Sequence, residues 1–373
     1  MKVAIVGGIY GKSADYRKEF SVTPETTLEG GLRERGIDVS TFGHLASVNC
    51  SRFDIIHVHH LSWGALSAAT DASQCAFAFT PHNGQYMSGS LPPRFRWAMR
   101  FVMRRADAIV ALSSVEKTFL EANHALSGAI STVIANGIPV GTYKMERANS
   151  KGVGVPWQIL YVGQLIPIKR VDVLLQAVSQ ISAPVIVKLV YQNAELESEL
   201  RLLASKLGIG DAVHFLGPRK PSELGRLYNQ SDLFILPSSC EALPSVVTEA
   251  MLCGTPIIAT DVGGVRAQLA GFGALVPPNN PERLKSAIVE AISDYGSIEG
   301  QASQMSKYAR NNFSVDSMID RHIDLYRQLS HQAPRRRSRI VLRPWSLLVK
   351  LGLEYPLRTR PSSSAVASPH GRI

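Results

Sequence analysis

The chain has 373 residues, of which 45% are hydrophobic, and a formal net charge of +10 at pH 7. This length fits two domains of ordinary size, and the hydrophobic content is ample for packed cores. Eight of the ten net positive charges fall in residues 331–373, so the rest of the chain is close to neutral, which argues against a nucleic-acid-binding body.

Simple patterns argue against three further classes. The chain has no run of eighteen apolar residues, so no membrane-spanning helix is predicted. The first residues, MKVAIVGG, are typical of a strand and a turn and not of a secretory signal, so we expect a cytoplasmic protein. The four cysteines include no C-x-x-C pair, which argues against structural zinc and against a disulfide framework.

The first predicted elements are a strand over residues 2–6 and a loop that opens with Gly7 and Gly8. A phosphate-binding P-loop, G-x-x-x-x-G-K-[ST], would need glycine at position 6, where the chain has valine, so an ATPase is disfavoured. The next helix is predicted to begin with the cap Thr23-Pro24-Glu25 and to end at Gly36. A second strand follows over residues 37–42.

Three histidines, His57, His59 and His60, stand at the end of the next predicted strand, residues 53–58. They invite a metal site, but no carboxylate or cysteine lies nearby in sequence, so we favour polar residues at the cleft end of a strand. The strand over residues 76–80 then closes at a Pro-His-Asn-Gly turn. Its histidine, His82, is either a cleft residue or a locally hydrogen-bonded loop residue.

Residues 94–105 form a predicted basic amphipathic helix. Arg96, Arg100 and Arg104 share one face, whereas apolar side chains populate another. Two interpretations stay open: with Trp97 and Phe101 the helix lies on an anionic membrane surface, or it is an ordinary packed helix with a solvated arginine face. For the basic segment 335–353 the alternatives are binding to anionic lipid and plain disorder.

The polar, glycine-rich residues 144–156 are predicted to link two domains. A strand over residues 158–162 opens the second half, and the loop Gly163 to Arg170 follows. Later come a strand at residues 185–190, a strand and turn at 213–217, and a helix at 281–293.

The most informative stretch is residues 233–264, a predicted strand, helix and strand whose loops lie where parallel sheets bind ligands. Glu241 precedes the helix and Glu249 lies within it, while free N–H groups around residues 242–246 would bind an anion. Carboxylates that accept hydrogen bonds from hydroxyls, beside an anion site, suggest a nucleotide sugar. The alternative is that both glutamates only cap and solvate a helix start.

The sequence E-A-L-P-S-V-V-T-E-A-M-L-C-G-T-P-I-I-A-T resembles the E-x7-E signature of retaining glycosyltransferases of family 4, which have the GT-B fold. The resemblance covers residues 1–330 and is better in the carboxyl half. It implies an α/β protein with two Rossmann-like parallel-sheet domains facing across a cleft. Residues 1–148, joined by a crossing helix at 313–330, would form the acceptor-side domain, residues 156–312 the nucleotide-sugar domain, and residues 331–373 a basic, partly disordered tail.

The same resemblance implies a reaction and a set of roles. A hexosyl unit would pass from a nucleotide-diphosphate sugar to an acceptor hydroxyl with retention, in surface-polysaccharide or lipid-linked glycan assembly. Glu249 would bind the ribose, Glu241 the sugar hydroxyls, Lys169 the diphosphate, and His82 would act at the reacting end. Further donor contacts are expected from Gly8, Gly163, Arg170, Leu243, Ser245 and Val246.

The chain also departs from the family pattern. Gln164 stands where an arginine is frequent, Arg170 where glycine is usual, and Tyr191-Gln192-Asn193 where relatives tend to have G-x-G. These departures leave open a non-catalytic assembly partner at the membrane, and the fold leaves open a nucleotide-sugar epimerase. No D-x-D motif occurs, so we expect no metal and no cofactor, the expected partners being the nucleotide sugar and a glycan or lipid-linked acceptor.

Overall fold

The structure is a computed structural model that describes residues 1–19, 23–43, 50–62, 65–66, 68–69, 75–82, 92–123, 128–146 and 155–332. Its first half contains a six-stranded parallel sheet with the order β2-β1-β3-β4-β5-β6. The strands are β1 (Lys2–Gly7), β2 (Asp38–Phe42), β3 (Ile55–His59), β4 (Ala76–Thr80), β5 (Ala108–Ala111) and β6 (Ile130–Val133).

The second half repeats this architecture with a six-stranded parallel sheet of order β12-β11-β10-β7-β8-β9. Its strands are β7 (Trp157–Val162), β8 (Val185–Val190), β9 (Val213–Gly217), β10 (Leu233–Leu236), β11 (Ile257–Thr260) and β12 (Ala274–Val276). Each sheet has a point where the strand order reverses, between β1 and β3 and between β7 and β10. In open α/β sheets, ligands bind at the carboxyl ends of the strands at such points.

Helices cover both sheets. In the first half these are α1 (Ala14–Glu19), α2 (Pro24–Glu34), α3 (Pro93–Arg105) and α4 (Ser114–Asn123). In the second half they are α5 (Val171–Val178), α6 (Glu197–Lys206), α7 (Pro221–Gln230), α8 (Ser245–Leu252), α9 (Val265–Leu269), α10 (Pro281–Ser293), α11 (Tyr295–Gly300), α12 (Ala302–Phe313) and α13 (Val315–Ser330).

The central strands are largely apolar because the helices bury both sheet faces, whereas the edge strands β2 and β9 carry polar residues. In the first sheet, β3 and β4 are buried at every position. In the second sheet the same holds for β10 and β11. This continuous burial explains why these strands carry apolar runs without alternation in the sequence.

The fold expected from the sequence is confirmed, with local differences. The cap at Thr23 is present, since its side chain accepts a hydrogen bond from the Thr26 N–H, and Gly36 has a positive φ of 75°. At the signature helix, Pro244 occupies the N-cap position, so α8 begins one residue later than predicted. Helices α1, α5, α6, α9, α11 and α12 were not predicted, and α1 lies in a stretch that the sequence indicated as a loop.

The last helix, α13, packs against the first sheet and α2. Tyr326 on α13 hydrogen-bonds to His57 Nδ1 of β3 at 2.6 Å, and Arg35 at the end of α2 pairs with Asp316 at 3.0 Å and with Asp320. The carboxyl-terminal helix therefore contacts the amino-terminal half.

Among the residues that the structure describes, none of the helices combines the length and apolar character that crossing a membrane requires. Most of the predicted linker, residues 147–154, and the basic tail from residue 333 lie outside the described residues, as do Asn83 and Gly84 of the turn after β4.

Candidate active site

Two loops of the second sheet meet at its reversal point and bring a cation and a carboxylate together. The loop after β7 contains Lys169, and the loop after β10 contains Glu241. Ser239 ties the loops to each other, because its N–H donates to the Ile168 carbonyl at 2.8 Å. The Lys169 Nζ then lies 2.6 Å from Glu241 Oε1, with 21% of the Lys169 side chain and 9% of the Glu241 side chain exposed.

The start of α8 completes this region. Helix α8 begins at Ser245, and Leu243, Ser245 and Val246 are all partly exposed around its amino end. The N–H groups of the first helical residues have no intrahelical acceptor, so they form a positive helix end that favours an anion. The structure thus brings Lys169 and the first residues of α8, Ser245 and Val246, to the same edge of the sheet.

Gly263 and Gly264 pack directly against the Glu241 loop. A Cβ added to Gly263, whose φ is +52°, would lie 1.7 Å from the carbonyl oxygen of Glu241. The Gly264 N–H donates to the Ala242 carbonyl at 2.9 Å. Gly264 also faces Ser113 of the first half, because an added Cβ would lie 2.7 Å from the Ser113 Cβ. The two halves therefore approach each other closely at this edge.

Glu249 lies one turn further along α8 and is held by tyrosines. The Tyr228 hydroxyl donates to Glu249 Oε2 at 3.0 Å and to the Val246 carbonyl at 3.2 Å, and Tyr143 interacts with the same carboxyl group. Burial raises the pKa of Glu249 to about 7, although the hydrogen bonds from Tyr228 and Tyr143 act to lower it. Near neutral pH this carboxyl group is therefore shared between its charged and neutral forms.

The structure gives Arg170 partners of its own. Arg170 has a left-handed backbone, with φ 49° and ψ 42°, at the position where the family usually has glycine. Its guanidinium binds Asp172 through two hydrogen bonds of 3.0 and 2.9 Å and also donates to Asn279. Gly163 follows β7, close to the Tyr161 hydroxyl, which donates to the Gln164 carbonyl at 2.8 Å.

In the first half, Gly8 and a buried glutamate lie at the reversal point of the sheet. Gly8 has a φ of +56°, and an added Cβ would lie 2.2 Å from Glu25 Oε1. Glu25 is only 2% exposed and its Oε1 lies 2.9 Å from His60 Nε2. Burial acts to raise the pKa of Glu25, but the hydrogen bond with His60 and the charges of neighbouring histidines bring it well below its usual range.

The histidines after β3 and β4 form one cluster around His82. His59 Nδ1 lies 2.9 Å from His82 Nε2, and the rings of His60 and His82 stack with centroids 4.6 Å apart. Burial lowers the pKa of His59 to about 3 and holds that of His82 well below its usual value. His60 and His82 both have positive φ, a strained backbone conformation that recurs at functional sites.

His57 has a different environment from the other histidines. Its Nε2 bonds to Thr80 Oγ1 at 2.7 Å and its Nδ1 bonds to Tyr326, so both ring nitrogens are satisfied inside the core. His57 is thus a structural histidine.

Helix α3 presents its predicted basic face to solvent. Arg96, Arg100 and Arg104 are exposed, whereas Met99 and Val102 are fully buried. Trp97 is 55% exposed and stacks on Phe101 with centroids 5.6 Å apart.

Three residues that shape these sites were missed as site residues. Glu25 entered the sequence analysis only as part of a helix start, and nothing in the sequence linked it to the histidines. Tyr228 and Tyr143 carried no signal either, because both reach Glu249 from elements distant in the chain.

Two family models match the chain over both halves. Residues 144–312 match glycosyl transferases group 1, and residues 26–141 match glycosyltransferase family 4. With the two facing parallel sheets, these matches define the class: the chain belongs to the GT-B glycosyltransferases of family 4, group 1. It is accordingly a glycosyltransferase.

Two curated relatives have the same name. A D-inositol 3-phosphate glycosyltransferase of Corynebacterium urealyticum is 28% identical over 308 residues, covering 74% of this chain and 72% of the relative. The protein of that name from Rhodococcus jostii is 30% identical over 252 residues, and the match covers 61% of this chain but only 53% of the relative.

Solved structures with the same fold are less similar in sequence. Sucrose-phosphate synthase from Thermosynechococcus elongatus gives a TM-score of 0.74 at 19% identity, over 88% of this chain and 99% of that one. Anabaena HepE, solved with UDP and glucose, gives a TM-score of 0.69 at 22% identity, over 88% of this chain and 100% of HepE. The lipopolysaccharide outer core galactosyltransferase WaaB gives a TM-score of 0.67 at 17% identity, over 88% of this chain and 100% of WaaB.

Proposed function

We propose that the chain transfers a hexosyl unit from a nucleotide-diphosphate sugar to an acceptor hydroxyl with retention of configuration. The observation that carries this proposal is the Lys169–Glu241 pair beside the amino end of α8. Lys169 supplies a cation and α8 supplies N–H groups for the diphosphate, while Glu241 supplies a carboxylate for the sugar hydroxyls, all at one edge of the sheet.

Each donor contact has a role in this proposal. Glu249 accepts hydrogen bonds from the ribose hydroxyls and Glu241 from the sugar hydroxyls. Lys169 and the N–H groups near Leu243, Ser245 and Val246 stabilise the leaving nucleoside diphosphate without a metal ion at the phosphates. The glycines Gly8 and Gly163 let the backbone approach the donor.

Arg170 is the weakest member of the proposed donor set. Its contacts with Asp172 and Asn279 already use the guanidinium, so it contributes to the diphosphate only if the donor displaces Asn279. Lys169 then carries most of the side-chain charge that the family divides between an arginine and a lysine, because Gln164 is neutral.

His82 acts at the reacting end in this proposal. It contacts the buried His59 and the exposed His60 at the carboxyl edge of the first sheet, where it would position the sugar against the acceptor. A covalent two-step route would need a nucleophile beneath the anomeric carbon. We therefore propose that the leaving group departs and the acceptor attacks on the same face.

The proposed acceptor is a glycan or lipid-linked hydroxyl at the inner face of a membrane. The exposed arginines of α3 and the amphipathic Trp97 support a peripheral contact with anionic lipid. The curated relatives are named for D-inositol 3-phosphate, so this compound belongs in the acceptor panel.

The decisive experiment is calorimetric binding of a panel of UDP- and GDP-sugars to the purified chain, with and without EDTA. Selective binding of one donor that Glu249→Ala abolishes, followed by acceptor-dependent release of the nucleoside diphosphate with a retained linkage, supports the proposal. Donor turnover without acceptor indicates an epimerase. No binding of any donor indicates a non-catalytic assembly partner.

A further inference from the structure

We propose that Glu25, His59 and His82 form a binding site for one divalent transition-metal ion, for which Zn²⁺ is the best fit. The three side chains come from the start of α2, the end of β3 and the turn after β4. One potential ligand atom of each lies within 4.8 Å of those of the other two. The fold thus supplies the carboxylate that the sequence around the histidines lacks.

The donor set matches the chemistry of zinc. Two imidazoles and one carboxylate are ligands that Zn²⁺ accepts, and three protein ligands leave a fourth position open to water or a substrate oxygen. Mg²⁺ prefers oxygen ligands and octahedral geometry, so this set disfavours it. A narrow cavity of about 10 Å³ is lined by His59 and His82, though not by Glu25, and has room for a single water-sized group.

An independent observation points to a missing partner at His59. This side chain is only 3% exposed, and its Nε2 has no hydrogen-bond partner among the described residues. Its other nitrogen, Nδ1, already bonds to His82 at 2.9 Å. Buried polar atoms in native proteins are nearly always paired, so the orphaned Nε2 indicates a bound group beside His59.

The surroundings of Glu25 are built to hold its carboxylate in place. His60 Nε2 lies 2.9 Å from Glu25 Oε1, an outer hydrogen bond of the kind that orients ligating carboxylates. Gly8 leaves the space that this carboxylate fills, because a Cβ there would overlap with it. Only 2% of Glu25 is exposed, and burying a charged carboxylate to this extent is costly unless a cation compensates its charge.

The site lies apart from the Lys169–Glu241 pair, and the inference does not rest on the proposed transfer reaction, although His82 and Gly8 have roles in both. A failure to bind nucleotide sugars would therefore leave it intact, and a failure to bind metal would leave the donor site intact. An ion bound here would fix His82 and expose its open position on the acceptor side of the first sheet.

The test is titration of chelator-treated full-length chain with Zn²⁺ by calorimetry, with Mg²⁺ as comparison. We expect one saturable Zn²⁺ site per chain, a higher melting temperature with Zn²⁺, and no comparable response to Mg²⁺. Glu25→Gln and His59→Gln should each weaken Zn²⁺ binding at least about tenfold. His214→Gln, which changes a solvent-exposed histidine of β9, should leave it unchanged.

Circular dichroism of each variant shows whether the buried substitutions still fold. If they do not fold, the wild-type chain is loaded with Co²⁺ instead. Intense visible absorption then indicates a four-coordinate metal site. Absence of saturable Zn²⁺ binding, absence of that Co²⁺ absorption, or equal Zn²⁺ affinity in wild type and a folded Glu25→Gln variant would overturn the proposal.

Discussion

The ammonium group of Lys169 lies 2.6 Å from the carboxylate of Glu241, although the two residues are 72 positions apart in the chain. The pair exists because β7 and β10 are neighbours in the sheet, so that the loops at their carboxyl ends meet. Both side chains are largely withdrawn from solvent, so the loss of either charge affects the other more strongly than in a surface pair.

Replacing Lys169 should impair donor use. In Lys169→Met the diphosphate loses its nearest side-chain cation, and we expect kcat/KM for the nucleotide sugar to fall about 100-fold, as when one stabilising donor is removed from an enzyme site. The measurement is steady-state kinetics with the donor identified by calorimetry. Lys206→Met, at an exposed position of α6, is the matched control and should keep wild-type kinetics.

A structural effect of this substitution must be distinguished from a functional one. Lys169→Met leaves Glu241 buried without its partner and should lower the melting temperature, and the double variant Lys169→Met/Glu241→Gln should recover part of that loss. Because Glu241 is itself a proposed sugar contact, Glu241→Gln alone is the reference for the activity of the double variant. Equal kcat/KM in Glu241→Gln and in the double variant would mean that Lys169 acts through folding and not on the donor.

Donor binding should weaken as the pH falls through 7. Burial raises the pKa of Glu249 to about 7, and ribose hydroxyls that donate to this group favour its ionised form. Calorimetry between pH 5.5 and 8.5 should show affinity reaching a plateau above pH 7 and declining below it. Glu249→Gln should bind weakly at every pH, and an unchanged pH profile in this variant would contradict the assignment.

The same group should cost stability at neutral pH. The folded state holds the Glu249 proton more tightly than the unfolded chain does. The contribution of this group to the free energy of unfolding is therefore largest below its unfolded pKa of 4.5 and is lost as the pH rises towards about 7. The loss amounts to at most about 3 kcal/mol. Urea unfolding at pH 8 should therefore find Glu249→Gln more stable than wild type, with the difference shrinking at pH 5.

Gly263 should tolerate no side chain. An added Cβ would lie 1.7 Å from the Glu241 carbonyl oxygen, and φ is +52°, so Gly263→Ala must move the Glu241 loop. We expect a loss of at least about 2 kcal/mol, measured by urea unfolding, together with weaker donor binding. Gly30→Ala, in helix α2 with no heavy atom within 4 Å of the added carbon, should instead stabilise the chain by about 1 kcal/mol.

The exposed arginines of α3 should bind anionic lipid. Replacing Arg96, Arg100 and Arg104 by glutamine should weaken co-sedimentation with phosphatidylserine vesicles by about 1 kcal/mol for each charge removed. The matched control replaces three exposed cations elsewhere on the helices, Lys206, Arg226 and Arg310. Equal losses in both triple variants would mean that only net charge matters, and no loss in either would leave α3 an ordinary packed helix.

Sequence reasoning succeeded where the signal is local. The apolar runs located the strands because both faces of a parallel sheet are buried, and Thr23 and Gly36 marked the ends of α2 because caps depend on one or two residues. Helices α11 and α12 were missed because no comparable local signal marks their starts: neither Asp294 nor Gln301 makes a side-chain cap hydrogen bond.

The sequence by itself determined the fold and the family, and it located Glu241 and Glu249 within one short stretch. Only the tertiary structure decided the partners of these residues: Lys169 for Glu241, Tyr228 for Glu249, and Glu25 for the histidines after β3 and β4. The reason is physical. Strand order in a doubly wound sheet differs from chain order, so side chains meet at its edge through pairings that no local pattern of residues encodes.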